Sequence, residues 1–342
     1  MARSTRCSLH VCRQVNLKRL CCQTMLRVGT DCSGLDAPIW TLKEMGVNFS
    51  HVFASETNLD CVKTILANNP PDRLYGDPKS DTPNGDIMQR NHSHAPSCDL
   101  YVCGFPCQPF SVSGSMKGTD DTRGSVFLEC INYITIHRPR WVVLENVSNL
   151  CHIQNGVVFK TILNMLSDIP GYKVSHSIMN TKDYGIPQSR NRLYIVCVRD
   201  ASSPFVFPPP YHSSSSPEQF VDFTDTSITA TPRAEKCRVI AEELKKRKLP
   251  GVFFDALHMQ RSKKDPIVKQ GYPVVPCITC NSYHWNSIMN RRANINELLS
   301  LQGLPTTIKN VVTDTSMRRQ IGNAMSCNVL RAIFTKLFET RD

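Results

Sequence analysis

The chain has 342 residues, of which 41% are hydrophobic, with sixteen cysteines and a formal charge of +11. Length and composition suit a soluble chain with one large and one smaller domain, and no apolar run approaches the roughly 20 residues that span a bilayer. The positive balance points to a polyanionic partner, and cysteines inside apolar runs, such as Cys103 and Cys197, indicate reduced core thiols rather than a secreted disulfide framework.

Residues 1–25 carry Arg3, Arg6, Arg13, Lys18 and Arg19 and no acid. They read as a basic arm, with an organelle transit peptide as the alternative. Cys7, His10, Cys12, Cys21 and Cys22 follow no standard zinc spacing, so no metal is expected. Leu26 to Pro38 reads as strand and tight loop, followed by a helix from Ile39 to Met45. Val52–Glu56 is a second strand ending in an acid. The distance from Gly34 to Glu56 is that between a nucleotide-binding glycine loop and a ribose-binding acid, although generic α/β packing explains it equally. Leu59 to Asn68 is a helix stopped by Pro70. The polar stretch 70–96 holds Gly85-Asp86-Ile87, which also reads as a surface turn.

The organising stretch is Asp99 to Ser111. Apolar residues run to Gly104, and Cys107 then sits between Pro106 and Pro109, with Gln108 and Ser111 as hydrogen-bonding neighbours. A thiol on a stiff loop at the carboxyl end of a parallel strand lies where open α/β sheets build their sites. It attacks only as thiolate, so a partner must activate it. Ser113 to Thr122 is small and polar and suits a closing flap. A helix then runs from Arg123-Gly-Ser-Val126-Phe127 to His137. Trp141–Val147 is a strand buried on both faces, broken by Glu145 and Asn146. A carboxylate there is costly unless paired or used, so Glu145 is either a salt-bridge partner or a general acid.

Val157 to Ser167 is an amphipathic helix, and 172–180 and 193–198 are strands. Between them Gln188-Ser-Arg190-Asn-Arg192 directs both arginines to one face if the segment is extended. Pro204 to Pro217 is a linker by composition. Residues 218–288 lack an α/β rhythm and carry Lys245-Lys-Arg-Lys248, Arg261, Lys263, Lys264 and Lys269, which suits a module contacting phosphates. The run 245–248 also reads as a nuclear import signal or as the polar face of a helix from 234 to 248. Cys277-x-x-Cys280 lacks a second pair and reads as structural. A short helix closes at Gly303 and Pro305, and Gln320 to Ser326 opens a helix reaching Phe338.

Gly-Phe-Pro-Cys107-Gln-Pro-Phe-Ser111 resembles the catalytic loop of the cytosine carbon-5 DNA methyltransferases. Further matches follow in the family's order between Leu26 and Leu337: Glu145-Asn146-Val, Gln188-x-Arg190-x-Arg192, Leu-Gln-Gly-Leu-Pro305 and Gly322-Asn323. The resemblance implies a doubly wound, Rossmann-like α/β fold that binds S-adenosylmethionine. A smaller target-recognition domain, residues 204–288, lies between the catalytic parts 26–203 and 289–342. It implies that Cys107 is the nucleophile, Glu145 the general acid, and Arg190 and Arg192 the groups meeting the flipped cytosine and its phosphate. Asp31, Cys32, Ser33, Gly34, Leu35, Glu56, Asp86, Ile87, Pro106, Val126, Asn323 and Ala324 fall at cofactor positions, and Gln108, Ser111, Asn146 and Gln188 at substrate positions. The family's Phe-x-Gly-x-Gly loop is altered: Cys32 replaces the aromatic residue and Asp36 the second glycine. The implied partner is double-stranded DNA, with the protein a monomer and no membrane attachment. The implied setting is intracellular, nuclear in a eukaryote, with organelle targeting as the alternative. Methylation of tRNA cytosine is the runner-up activity, although the Cys-Phe-Thr element of that branch is missing here. A catalytically inactive DNA-binding relative is the third reading.

Overall fold

The computed structural model describes residues 25–106, 126–211, 215–249, 251–257 and 274–339. The first 199 residues supply seven strands: β1 (Leu26–Asp31), β2 (Phe49–Ser55), β3 (Leu74–Tyr75), β4 (Leu100–Cys103), β5 (Trp141–Val147), β6 (Tyr172–Asn180) and β7 (Asn191–Arg199). They form one sheet in the order β3-β2-β1-β4-β5-β7-β6. All neighbours run parallel except β7, which is antiparallel to both β5 and β6. The strand order reverses between β1 and β4, so the carboxyl ends of β1, β2, β4 and β5 face one crevice.

Helices α1 (Ala37–Glu44), α2 (Leu59–Asn68), α3 (Val126–His137) and α4 (Val157–Ser167) connect the strands. Each starts or stops for a local reason. Pro38 occupies the first turn of α1. The Asn58 side chain accepts hydrogen bonds from the backbone N–H groups of Asp60 and Cys61 and caps α2. All of β4 and the first six residues of β5 are buried, as their unbroken apolar runs require.

The rest of the described chain forms α5 (Pro232–Lys246), β8 (Phe253–Asp255), β9 (His284–Asn286), β10 (Arg291–Arg292), α6 (Ile295–Leu301), α7 (Asp314–Asn323) and α8 (Cys327–Glu339). Strands β8, β9 and β10 make a small antiparallel sheet. Ala234, Cys237 and Leu244 of α5 pack on its Phe254, Tyr283 and Trp285. Its third strand lies beyond residue 288. The proline-rich segment after 203 is docked rather than free: Phe205 is buried in the core of the large sheet, and Tyr184 Oη donates to the Pro208 carbonyl at 2.9 Å.

Helix α8 returns to the large sheet. Leu330, Ile333, Phe334 and Leu337 share a core with Ile39 and Leu42 of α1, and Phe338 meets Trp141 edge-on. Each such side chain contributes about 1.5–3 kcal/mol on burial, so the far end of the chain is bound to its beginning. No described helix is long and apolar enough to cross a membrane. The eleven described cysteines are free thiols.

Candidate active site

A cavity of about 660 Å³ opens at the carboxyl ends of β1, β2, β4 and β5. Its wall includes Cys32, Ser33, Gly34, Leu35, Glu56, Asp86, Ile87, Pro106, Val126, Glu145, Asn146, Arg190, Arg192, Asn323 and Ala324. Asp31 and Gln188 are not on that wall. Cys107, Gln108, Ser111 and the flap 113–122 lie outside the described residues.

Glu56 follows β2 directly and sits between two loops. Its Oε2 accepts the Gly34 N–H and its Oε1 the Asn58 N–H, each at 2.8 Å. Gly85 is required beside it, since a Cβ there would lie 1.9 Å from the Glu56 carbonyl oxygen. That close approach brings Asp86 and Ile87 to the wall. Asp86 caps its own turn by accepting the Met88 N–H at 3.0 Å. A carboxylate, a glycine loop and an apolar flank on one cavity suit a nucleoside-bearing cofactor.

Asp31 corrects an expectation. The residue is 1% exposed, on a strand flanked by β2 and β4. Arg90 grips it with two hydrogen bonds of 2.7 and 2.6 Å, and Ser55 Oγ and Tyr101 Oη donate to it at 2.6 and 2.7 Å. Burial pushes its pKa up, but the Arg90 charge and these bonds outweigh burial and hold it below the usual carboxylate range. Asp31 therefore ties β1, β2, β4 and the segment after Ile87 together and touches no ligand space. Arg90, which carries no sequence signal, is stacked among Phe53, Tyr75 and Tyr133 at 5.1–5.6 Å.

The altered glycine loop also has a physical reading. Asp36 adopts the left-handed conformation, φ 61°, which suits the family's glycine and which aspartate tolerates. Its carboxyl is buried, bonded through Oδ1 to Thr30 and 3.6 Å from His51 Nδ1. Burial raises its pKa to about 6, against the pull of His51, Thr30 and Lys43. Cys32, also at positive φ, hydrogen-bonds to the Cys103 thiol, whose sulfur lies 3.5 Å from that of Cys130.

At the other side of the cavity Glu145 is 8% exposed. Burial raises its pKa, opposed by Arg192 and Arg190. Arg192 Nε stands 3.2 Å from Glu145 Oε1. The angle is not that of a hydrogen bond, so Oε1 has charge nearby but no donor aligned on it.

The neighbouring motif residues bond to protein groups: Asn146 and Arg190 do so on the cavity wall, and Gln188 off it. Asn146 Nδ2 donates to the Phe105 carbonyl at 2.9 Å, and its Oδ1 accepts the Val147 N–H at 2.8 Å. It braces the segment after β4 at Phe105 while standing on the cavity wall. Gln188 is fully buried, donating to the Leu301 carbonyl and Gln302 Oε1 at 2.7 and 3.0 Å and accepting the Ile278 N–H at 3.0 Å. Arg190 is 1% exposed. Its Nη1 donates to the carbonyls of Ile278 and Gly322, and its Nη2 to that of Ala324 at 2.7 Å. Of the two arginines, Arg192 is the one beside Glu145. Gly322 belongs to the same junction: a Cβ there would lie 2.3–2.5 Å from the backbone of Thr279 and Cys280.

A family model described as C-5 cytosine-specific DNA methylase matches residues 32–339. The chain belongs to that family. This methylase is 30% identical over 293 residues to the type II methyltransferase M1.ScrFI of Lactococcus lactis subsp. cremoris, covering 84% of this chain and 72% of that one. It is 32% identical over 257 residues to M.HaeII of Haemophilus aegyptius, covering 73% and 77%. Its fold is similar to that of a Spodoptera frugiperda DNMT2 mutant, with a TM-score of 0.62 and 16% identity over 92% of this chain and 99% of the other.

Proposed function

We propose that this methylase transfers a methyl group from S-adenosylmethionine to carbon 5 of a cytosine flipped out of double-stranded DNA, through transient addition of Cys107 to carbon 6. The observation that carries the reading is Glu145. It is a carboxyl at the end of β5, disposed toward its protonated form by burial, facing the same cavity as Glu56 and flanked by Arg192.

Glu56 would accept hydrogen bonds from the ribose, with Asp86 and Ile87 at the adenine and residues 32–35 and 323–324 along the methionyl chain. Bound there, the cofactor supplies an electrophilic methyl group. Cytosine carbon 5 is too weak a nucleophile to take it unaided. Cys107 thiolate adds to carbon 6, and protonated Glu145 donates to ring N3, so the added electron pair is not stranded as a ring anion. Arg192, beside Glu145, holds the base through its carbonyl oxygen. After methylation the carbon-5 proton leaves to a base, the ring double bond re-forms as the Cys107–carbon 6 bond breaks to release the thiolate, and the N3 proton returns to Glu145. A stacked base cannot reach such a cavity, which is why flipping belongs to the proposal.

Transfer to tRNA is the second reading, because the fold shared with the Spodoptera protein does not separate one nucleic acid from another. Tritiated methyl transfer decides between them. Duplex DNA should be labelled at cytosine carbon 5, and Glu145→Gln should slow labelling roughly 10²–10⁴-fold. Label entering tRNA and no DNA would overturn the proposal.

A further inference from the structure

We propose that Cys32, Cys103 and Cys130 form a redox-active thiol cluster under the cavity, in which hydrogen peroxide oxidises Cys32 and Cys103 then closes on it as a disulfide. Bonded so, the loop from Cys32 to Asp36 no longer admits the cofactor. That consequence rests on reading the cavity as the S-adenosylmethionine site, whereas the thiol chemistry stands apart from it.

Three elements deliver the three sulfurs. Cys32 follows β1 directly, Cys103 ends β4, and Cys130 lies in α3. Cys32 and Cys103 are hydrogen-bonded, and the Cys130 thiol donates to Cys103 Sγ at 3.5 Å. A regular strand would not give this contact. Asp31 is the register partner of Cys103, and it shares a face with Tyr101, whose hydroxyl proton it accepts. The next residue along a strand points to the opposite face. Cys32 instead takes φ 51°, uncommon for a residue with a Cβ, and packs against the core that holds Tyr101, Cys103 and Cys130. One residue beyond a register partner on the adjacent strand, its Cα lies about 6 Å from that of Cys103, within the span of a disulfide.

Access sorts the roles. Cys32 is half-buried and on the cavity wall, whereas Cys103 and Cys130 are fully buried. An oxidant entering the cavity therefore meets Cys32 first. The Cys32 thiolate attacks one peroxide oxygen, the O–O bond breaks, and the other oxygen takes up a proton and leaves as water. Cys103 then attacks the sulfur of the resulting sulfenic acid, the S–O bond breaks, and a second water leaves. Two thiols have lost two electrons to one peroxide. The bond to Cys103 lowers the Cys32 pKa, but burial and the charges of Cys130, Asp31 and Glu56 outweigh it and raise the value, so the first step should quicken as pH rises. The loop has little slack. Glu56 accepts the Gly34 N–H at 2.8 Å, and the Ser55 carbonyl accepts the Ser33 N–H at 3.0 Å. Drawing the two sulfurs to a bonding distance of about 2 Å displaces Cys32 and these neighbours with it.

Peptide mapping and calorimetry on the full chain test this, in a Cys107→Ser background so that the assigned nucleophile does not contribute. Hydrogen peroxide should link the peptides of Cys32 and Cys103 with loss of two hydrogens. S-adenosylhomocysteine should then bind about 10-fold more weakly or worse, the scale of one to two lost hydrogen bonds, and dithiothreitol should restore it. Bound S-adenosylhomocysteine should slow the linkage, because it covers Cys32. Cys103→Ala should stop at a Cys32 sulfenic acid that dimedone captures, and the affinity of Cys32→Ser should not change with peroxide. Cys32 left reduced, a Cys103–Cys130 bond in its place, or a Cys32–Cys103 bond with unchanged affinity would overturn the inference. A reduced chain that binds no S-adenosylhomocysteine would instead overturn the cofactor reading beneath it.

Discussion

On the cofactor side of the cavity the groups come from strand ends close in the chain. Gly34 and Glu56 are 22 residues apart, and Asp31 and Arg90 are 59 apart. On the base side the contacts join Gln188 to Leu301 and Arg190 to Ala324, separations of 113 and 134 residues. The difference decides what polar residues are for. Consecutive β-strands align their own ends, so on the cofactor side Glu56 remains at the wall. Distant segments must be held together by something. On that side Gln188 and Arg190 supply the hold, while Glu145 and Arg192 stand on the cavity wall.

The largest expected effect separates Arg190 from Arg192. Arg190→Met strands three carbonyls in the interior. At about 1.5–3 kcal/mol for each hydrogen bond to a charged group, and with imperfect additivity, the loss should be about 3–6 kcal/mol in urea unfolding. Arg192→Met should cost only about 1–2 kcal/mol, because Glu145 can escape the lost charge by protonating. Methyl transfer by Arg192→Met should nevertheless fall about 10-fold or more, the scale of one charge-assisted contact to the base. A well-folded Arg190→Met beside an unfolded Arg192→Met would reverse the assignment.

A smaller effect sharpens the cofactor side. The Asp36 carboxyl, with a folded pKa of about 6 against an ordinary 3.8, favours its protonated form when folded. Its ionisation therefore opposes folding as pH rises through that window and has no effect below both values. Asp36→Asn should gain stability as pH climbs from about 4 to about 6 and level off above, at up to about 3 kcal/mol. A thermal melting series across pH checks this. A gain confined to acid pH would contradict the sign.

Much of this was legible in the sequence. The unbroken apolar runs of β4 and β5, the acid after β2 and the proline-bounded Cys107 loop identify a doubly wound sheet with its crevice. Arg190 differs from Arg192 for a definite reason. The two-residue alternation that puts both arginines on one face holds only inside a strand, and β7 begins at Asn191. Arg190 precedes it, where Gln188 makes an isolated bridge to Val275. Asp31 was misjudged because its partner, Arg90, lies in a polar loop with no periodicity to mark it.

The central claim is that Cys107 bonds to cytosine while Glu145 supplies the proton. Fluorine at carbon 5 cannot leave as a positive ion, so methylation of a fluorinated base should trap the Cys107 adduct. Duplex DNA carrying 5-fluorocytosine at the target, incubated with S-adenosylmethionine, should give a complex that survives denaturing electrophoresis. Cys107→Ser should abolish it and Glu145→Gln should slow its formation. A complex that persists in Cys107→Ser would contradict the account.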